Sequence, residues 1–215
     1  MTWIIPSLPM VYQDEFLLVV SKPSGLLSVP GRGPDNQDCV VNRVRNALPD
    51  CMEQPAVHRL DMDTSGLLVL ALTRAAHRGL SSAFEHRRVV KTYVALLDGV
   101  LRELGGTITL KTRLDITRRP LQIVDPVHGK CGITQWENAG VEGRFTRVLF
   151  HPLTGRTHQL RLHAAHPEGL GIPIVGDRLY GTGTKPGELR LHAAHLAFHH
   201  PISGEPLSFN APPPF

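Results

Sequence analysis

The run LLVLAL, from Leu67 to Leu72, places six apolar side chains in succession. A strand with one face in water alternates apolar and polar residues, so a run that is apolar on both faces fits a strand buried on both sides. Thr64-Ser65-Gly66 precedes it and supplies a turn. The segment therefore predicts a fully buried strand in the middle of a sheet. It is far too short to span a bilayer as a helix, which takes about 20 apolar residues.

The segments around that strand carry their own signals. Val11 to Val20 predicts a strand pair, or one bent strand, around Gln13-Asp14-Glu15, running into the turn Lys22-Pro23-Ser24-Gly25. Asp38 is expected to cap a short helix with an apolar side of Val40, Val41, Val44 and Leu48, ended by Pro49. Thr73 is expected to cap a second helix, with Ala76, Leu80, Ala83 and Phe84 at helical spacing and Arg74, Arg78, Arg87 and Arg88 on its remaining surface. Val89 to Leu97 returns as a strand, and Gly105 to Phe150 reads as an antiparallel meander. Thr157 is placed to cap a helix from His158 to about His166, stopped by Pro167 and Gly169. A C-terminal hairpin is expected across Ser203-Gly204, with His199-His200 in a surface turn. RLHAAH occurs twice, at Arg161 to His166 and Arg190 to His195; the second copy continues as strand-like LAFHHPI, so the two copies should adopt different secondary structures.

Composition narrows the class of protein. A chain of 215 residues fits one domain, or two small lobes sharing a core, and a hydrophobic share of 41% against 20% charged residues suits a soluble globular protein and argues against disorder. Twenty-three Lys and Arg against nineteen Asp and Glu give a formal charge of +4, which mildly favours a polyanionic partner. Eighteen of the cations are Arg, whose planar fork suits phosphate and stacked bases. Cys39, Cys51 and Cys131 are odd in number and widely spaced, so they form neither a disulfide framework nor a paired zinc knuckle and fit a reducing cytoplasm. MTWIIPSLPM has no basic region and is broken by Pro6 and Pro9, so neither export nor a membrane role is expected.

Two clusters carry candidate chemistry. HRLDMDTSG, His58 to Gly66, sets a cation, two carboxylates and two hydroxyls in a loop directly before the buried strand, the setting in which reactive groups are displayed. The same residues equally suit a turn cap with a local ion pair. HPLTGRTHQLRLH, His151 to His163, crowds Arg156, His158, Gln159 and Arg161 around an expected helix start, which suits an anion or else a solvated amphipathic helix. His163 and His166, like His192 and His195, stand three apart, but no HExxH and no acid or cysteine at ligand spacing accompanies them, so no metal is expected. Tyr93, a lone aromatic in VVKTYVALL, would by itself read as core.

Taken together, the blocks resemble the RluA family of pseudouridine synthases. KPSGLLSVPG, HRLDMDTSGLLVLALT, KTYVAL, PLTGRTHQLRLH and GDRLYG occur in that family's order and span most of the chain. Ile172 stands where many relatives carry histidine, and Trp136 where tyrosine is common. The KPSGLLSVPGR opening and the lack of an N-terminal S4-like domain look most like the family's dual-specificity branch, so residues 1–215 are expected to form a single catalytic domain.

The resemblance implies an α+β fold, a mixed and largely antiparallel central sheet with flanking helices and a central RNA-binding cleft. It implies isomerisation of uridine to pseudouridine in 23S rRNA and in a tRNA anticodon stem-loop, without metal or other cofactor, by a cytoplasmic monomer. Asp61 matches the family's catalytic aspartate, Arg161 the arginine that salt-bridges it, and Tyr93 the residue that stacks on the target base. Arg59 resembles the residue that fills the space left by the flipped nucleotide. His58, Arg74, Arg78, Arg87, Arg88, Lys91 and Arg156 are the further candidates for RNA contact. The rivals are a relative acting on a single RNA site, a noncatalytic RNA-binding relative, and a glycoside hydrolase using Asp61 and Asp63.

Overall fold

The computed structural model describes Ile5 and residues 8–215, so most of the MTWIIPSLPM opening lies outside the described residues. The chain divides into two compact units, residues 1–91 with 193–214, and residues 92–192 with Phe215. The fold is α+β with a largely antiparallel sheet and three α-helices among the described residues.

In the first unit, β1 (Met10–Gln13) and β2 (Leu17–Lys22) form the expected antiparallel pair. The turn between them is fixed by Asp14, whose Oδ1 accepts the N–H groups of Phe16 and Leu17 at 2.7 and 2.8 Å. β2 pairs with β3 (Ser65–Ala71), which is buried at every residue as its double apolar face requires. β3 neighbours β9 (Leu191–His199), and β9 pairs with β10 (Pro206–Asn210) as the C-terminal hairpin. The second RLHAAH copy lies mainly in β9, while the first lies in a helix, as its context predicts.

Helix α1 (Val40–Ala47) buries Val40, Val41 and Val44, but Cys39 occupies the cap, its Sγ accepting the Asn42 N–H at 3.4 Å. Asp38, the expected cap, is taken instead by Arg43, whose guanidinium donates to both carboxylate oxygens at 2.7 Å. Helix α2 (Arg74–Glu85) is capped by Thr73, whose Oγ1 accepts the Ala76 N–H at 3.2 Å, and buries Ala76, Leu80 and Ala83 against Leu17, Leu67 and Val69. Arg74 and Arg78 are exposed on α2, whereas Arg87 and Arg88 lie beyond its end, with Arg87 left-handed at φ 57°. His200 departs from the surface turn expected of it. It is buried, its Nε2 lies 3.0 Å from Asp14 Oδ2, and its Nδ1 accepts the Ser203 N–H at 3.0 Å.

In the second unit, β4 (Val90–Leu97) pairs with β8 (Phe145–Pro152), β8 with β7 (Lys130–Glu142), β7 with β5 (Gly105–Leu114), and β5 with β6 (Gln122–Val124). All four pairings are antiparallel, as read from the sequence, but the order departs from the expected meander: β6, only three residues long, folds back on the outer edge of β5, and β7 returns along the other edge of β5. Its core gathers Leu97, Ile108, Leu110, Trp136, Val148 and Phe150 under Leu160 and Ala164 of α3 (Gln159–Ala165). Trp136 is therefore a core residue, and Ile172 packs at the margin of the same cluster. No helix among the described residues is long and apolar enough to cross a membrane.

Candidate active site

The Asp61 loop is held in the first unit by the KPSG segment. Lys22 is 1% exposed, and its Nζ donates to the carbonyls of Pro23, Leu26 and Met62 at 3.0, 2.7 and 2.9 Å. Ser24 Oγ donates to Asp63 O, and Gly25 N–H to Met62 O at 2.9 Å. Ser28 Oγ donates to Leu60 O at 2.7 Å and accepts the Leu60 N–H at 3.0 Å. Three residues flanking Asp61, namely Leu60, Met62 and Asp63, are thereby tied through five hydrogen bonds to the segment from Lys22 to Ser28. Burial drives the Lys22 ammonium down to about 7 against the opposing pull of Asp61 and Asp63.

Asp61 itself is half-buried and Asp63 is buried, with Thr64 N–H closing a turn onto Asp61 O at 3.1 Å. Gly66 enters β3 at φ 110°, and a Cβ there would lie 2.3 Å from Ala193 O, so only glycine fits. His58 serves inside the unit: its Nε2 accepts the Val69 N–H at 3.1 Å, and its ring stacks on Phe84 at 4.5 Å. Desolvation, with Lys91 adding to it, pushes His58 down to about 3, which keeps the imidazole neutral and able to accept that bond. Arg59 is exposed, and Lys91 is half-buried with its pKa lowered by burial.

The second unit holds Tyr93 and Arg161. Tyr93 lies on β4 opposite Phe150 of β8, partly buried against the core. Arg161 is 3% exposed and donates from Nε and Nη2 to Asp177 Oδ2 and Oδ1 at 2.9 and 2.7 Å. Asp177 Oδ1 also accepts the N–H groups of Leu179 and Tyr180 at 2.8 and 3.1 Å. Burial raises the Asp177 pKa, but Arg161 and these two amides together hold it below the usual carboxylate range. The Arg161 guanidinium lies over the Tyr180 ring, 5.4 Å from its centroid. Tyr180 is fixed in turn, since its hydroxyl accepts the Gln122 N–H at 2.8 Å and lies 2.8 Å from His158 Nδ1.

The PLTGRTHQ segment folds around Gln159. Its Oε1 accepts from Thr154 Oγ1 at 2.7 Å and from the Arg156 N–H at 3.0 Å, and its Nε2 donates to Thr134 Oγ1 at 2.9 Å. Helix α3 consequently starts at Gln159, after His158 in the left-handed region at φ 53°, and has no side-chain cap. That replaces the expected Thr157 cap. Arg156 is exposed, with its Nε donating to Cys131 O at 3.0 Å. His163 is fully buried and is pushed down by desolvation to about 4. No cluster of three or more His, Cys, Asp or Glu among the described residues could hold a metal ion.

Lys22, Asp177 and Tyr180 are not among the sequence-derived candidates. They lie within motifs visible in the sequence, KPSG and GDRLYG, but each has a partner distant in the chain: Met62 for Lys22, Arg161 for Asp177 and Gln122 for Tyr180.

Comparison with known proteins agrees across sequence and structure. Residues 16–166 match the family model described as RNA pseudouridylate synthase. The dual-specificity RNA pseudouridine synthase RluA of Haemophilus influenzae is 44% identical over 210 residues, covering 96% of this chain and 93% of that protein. The enzyme of the same name from Escherichia coli K12 is 42% identical over 214 residues, covering 98% and 95%. Among solved structures, human RNA pseudouridylate synthase domain containing 1 superposes with a TM-score of 0.77 at 31% identity, covering 100% of this chain and 87% of that one. On the match over residues 16–166 and identities of 42 to 44% along nearly the whole chain, this protein belongs to the RNA pseudouridylate synthase family.

Proposed function

We propose that this chain isomerises uridines to pseudouridine both in 23S rRNA and in a tRNA anticodon stem-loop, with Asp61 as the nucleophile. The target base first leaves its stack, a cost of a few kcal/mol that is least in a loop or bulge. Asp61 then acts on the ribose, at C1′ or by the glycal route, and the N1–C1′ bond breaks. The uracil turns, C5 bonds to C1′, the C5 proton is lost and N1 gains one, so the RNA keeps its mass. Tyr93 stacks on the base, Arg161 orients the carboxylate of Asp61, and Arg59 occupies the vacated space. His58, Arg74, Arg78, Arg87, Arg88, Lys91 and Arg156 make up the proposed RNA-contacting set.

The observation that carries the reading is the anchoring of the Asp61 loop. A carboxylate between backbone groups tied to Lys22, Ser24 and Ser28, directly before a fully buried strand, is held as a nucleophile must be. Names of relatives at 42 to 44% identity support the choice of two RNA classes. The test is incubation of the protein with tRNA and rRNA transcripts, followed by mapping at nucleotide resolution. Pseudouridine at discrete sites in both classes is expected; its appearance in one class alone would end dual specificity, and in neither would end the reading.

A further inference from the structure

Two stretches of the chain are strongly basic. Residues 74–91 hold Arg74, Arg78, Arg87, Arg88 and Lys91 against Glu85, a net +4, and belong to the RNA-contacting set proposed above. Residues 111–130 hold Lys111, Arg113, Arg118, Arg119 and Lys130 against Asp115 and Asp125, a net +3, and lie outside that set. Both carboxylates are taken internally: Asp115 accepts from Arg118 Nε at 2.8 Å and Thr117 Oγ1 at 2.7 Å, and Asp125 accepts from Arg113 and from the His128 N–H at 2.9 Å. The cations in excess of these pairs are Lys111, Arg119 and Lys130, and all three are exposed.

These residues occupy one end of the β5–β6–β7 ladder. Lys130 pairs in register with Thr112, next to Lys111, and Arg119 lies in the turn from β5 to β6. Exposed Arg156 donates to Cys131 O, one residue from Lys130, and so extends the basic surface towards the Arg161 segment. At the same end, Gln122 of β6 donates to Tyr180, which stacks on Arg161. Ile116 and Val127 stand 70% and 78% exposed beside the cations, apolar groups that a sugar or base edge can cover.

We infer that this ladder end is a second RNA-docking surface, with Lys111, Arg119 and Lys130 taking phosphates of the strand that flanks the target. The inference rests on the RNA reading proposed above and adds a site to it. Each cation that neutralises a phosphate releases counterions, which sets the salt dependence of binding.

The test measures RNA affinity between 50 and 200 mM salt for the unsubstituted protein and for Lys111→Gln/Arg119→Gln/Lys130→Gln, with melting to check the fold. Removing three contacts should weaken binding at least about tenfold at the lower salt and flatten the log–log salt slope by about 2. Arg102→Gln/Arg144→Gln, at the opposite end of the β5–β7 ladder, serves as the charge control and should change the slope by less than about half as much. An unchanged slope in a folded triple variant, or equal flattening in the control, overturns the inference while pseudouridine formation by the unsubstituted protein still stands. Failure of the unsubstituted protein to form pseudouridine overturns the underlying reading, and the inference with it.

Discussion

Asp177 grips the guanidinium of Arg161 in a fork, Nε to Oδ2 at 2.9 Å and Nη2 to Oδ1 at 2.7 Å, with the two side chains 0% and 4% exposed. The pair fixes both the plane and the direction of the guanidinium, and Tyr180 closes one of its faces. A carboxylate that also accepts two backbone amides has nearly all its lone pairs engaged, so its burial is compensated.

Asp177→Asn should therefore deprive a buried guanidinium of the carboxylate that grips it in a fork. Removing one partner of such a pair costs about 3–5 kcal/mol. Urea denaturation measures it, and Asp177→Leu/Arg161→Leu should recover part of the loss. A single-variant loss under about 1 kcal/mol would show that the pair is not load-sharing in the fold.

Lys22 makes a prediction in alkali. Its pKa in the folded protein is near 7, below that of a free lysine, so the unfolded chain binds the extra proton between there and about 10.5. Stability relative to Lys22→Met should therefore rise with pH across that window, the cost of the buried ammonium being fully present below it. Paired melts at pH 6.5 and 9.5 check the sign; a flat or falling difference contradicts it.

His163 titrates in the opposite range. Fully buried, with a folded pKa of about 4, it binds a proton less readily than the unfolded chain does. Stability is lost as pH falls from about 6.5 towards 4, by about 2 kcal/mol at pH 5. His163→Leu should show an acid slope smaller by that amount, read from urea midpoints at pH 7 and 5. Parallel slopes would show that the imidazole becomes charged without penalty.

Gly66→Ala should disrupt the entry to β3, because the added methyl would meet Ala193 O at 2.3 Å in a backbone conformation that L residues rarely adopt. Loss of at least about 2 kcal/mol, or failure to fold, is expected. Gly33, also at positive φ but with nothing within 4 Å, should tolerate alanine far better. Equal melting temperatures for the two variants would contradict the steric account.

The legible parts of this protein were those set by local pattern. Continuous apolar character specified β3, helical spacing specified the buried side of α2, and Thr73 stood where its hydroxyl could reach Ala76. Caps failed where two neighbours competed: Asp38 has the better capping side chain, but Arg43 captures it and leaves the helix end to Cys39. Half of the Asp177 environment is local, since its own turn supplies the Leu179 and Tyr180 amides, and a Gly-Asp turn is a readable signal. Its grip on Arg161 is not, nor is the bond from Lys22 to Met62 forty residues away, because periodicity carries no information about which segments meet.

The central claim is that Asp61 forms pseudouridine in RNA. Tritium release from C5-labelled uridine in tRNA and rRNA transcripts, compared between the unsubstituted protein and Asp61→Asn, tests it most directly. The account predicts steady release by the former and a fall of at least about a thousandfold in the variant, with RNA affinity retained. Release by Asp61→Asn at a comparable rate would contradict it.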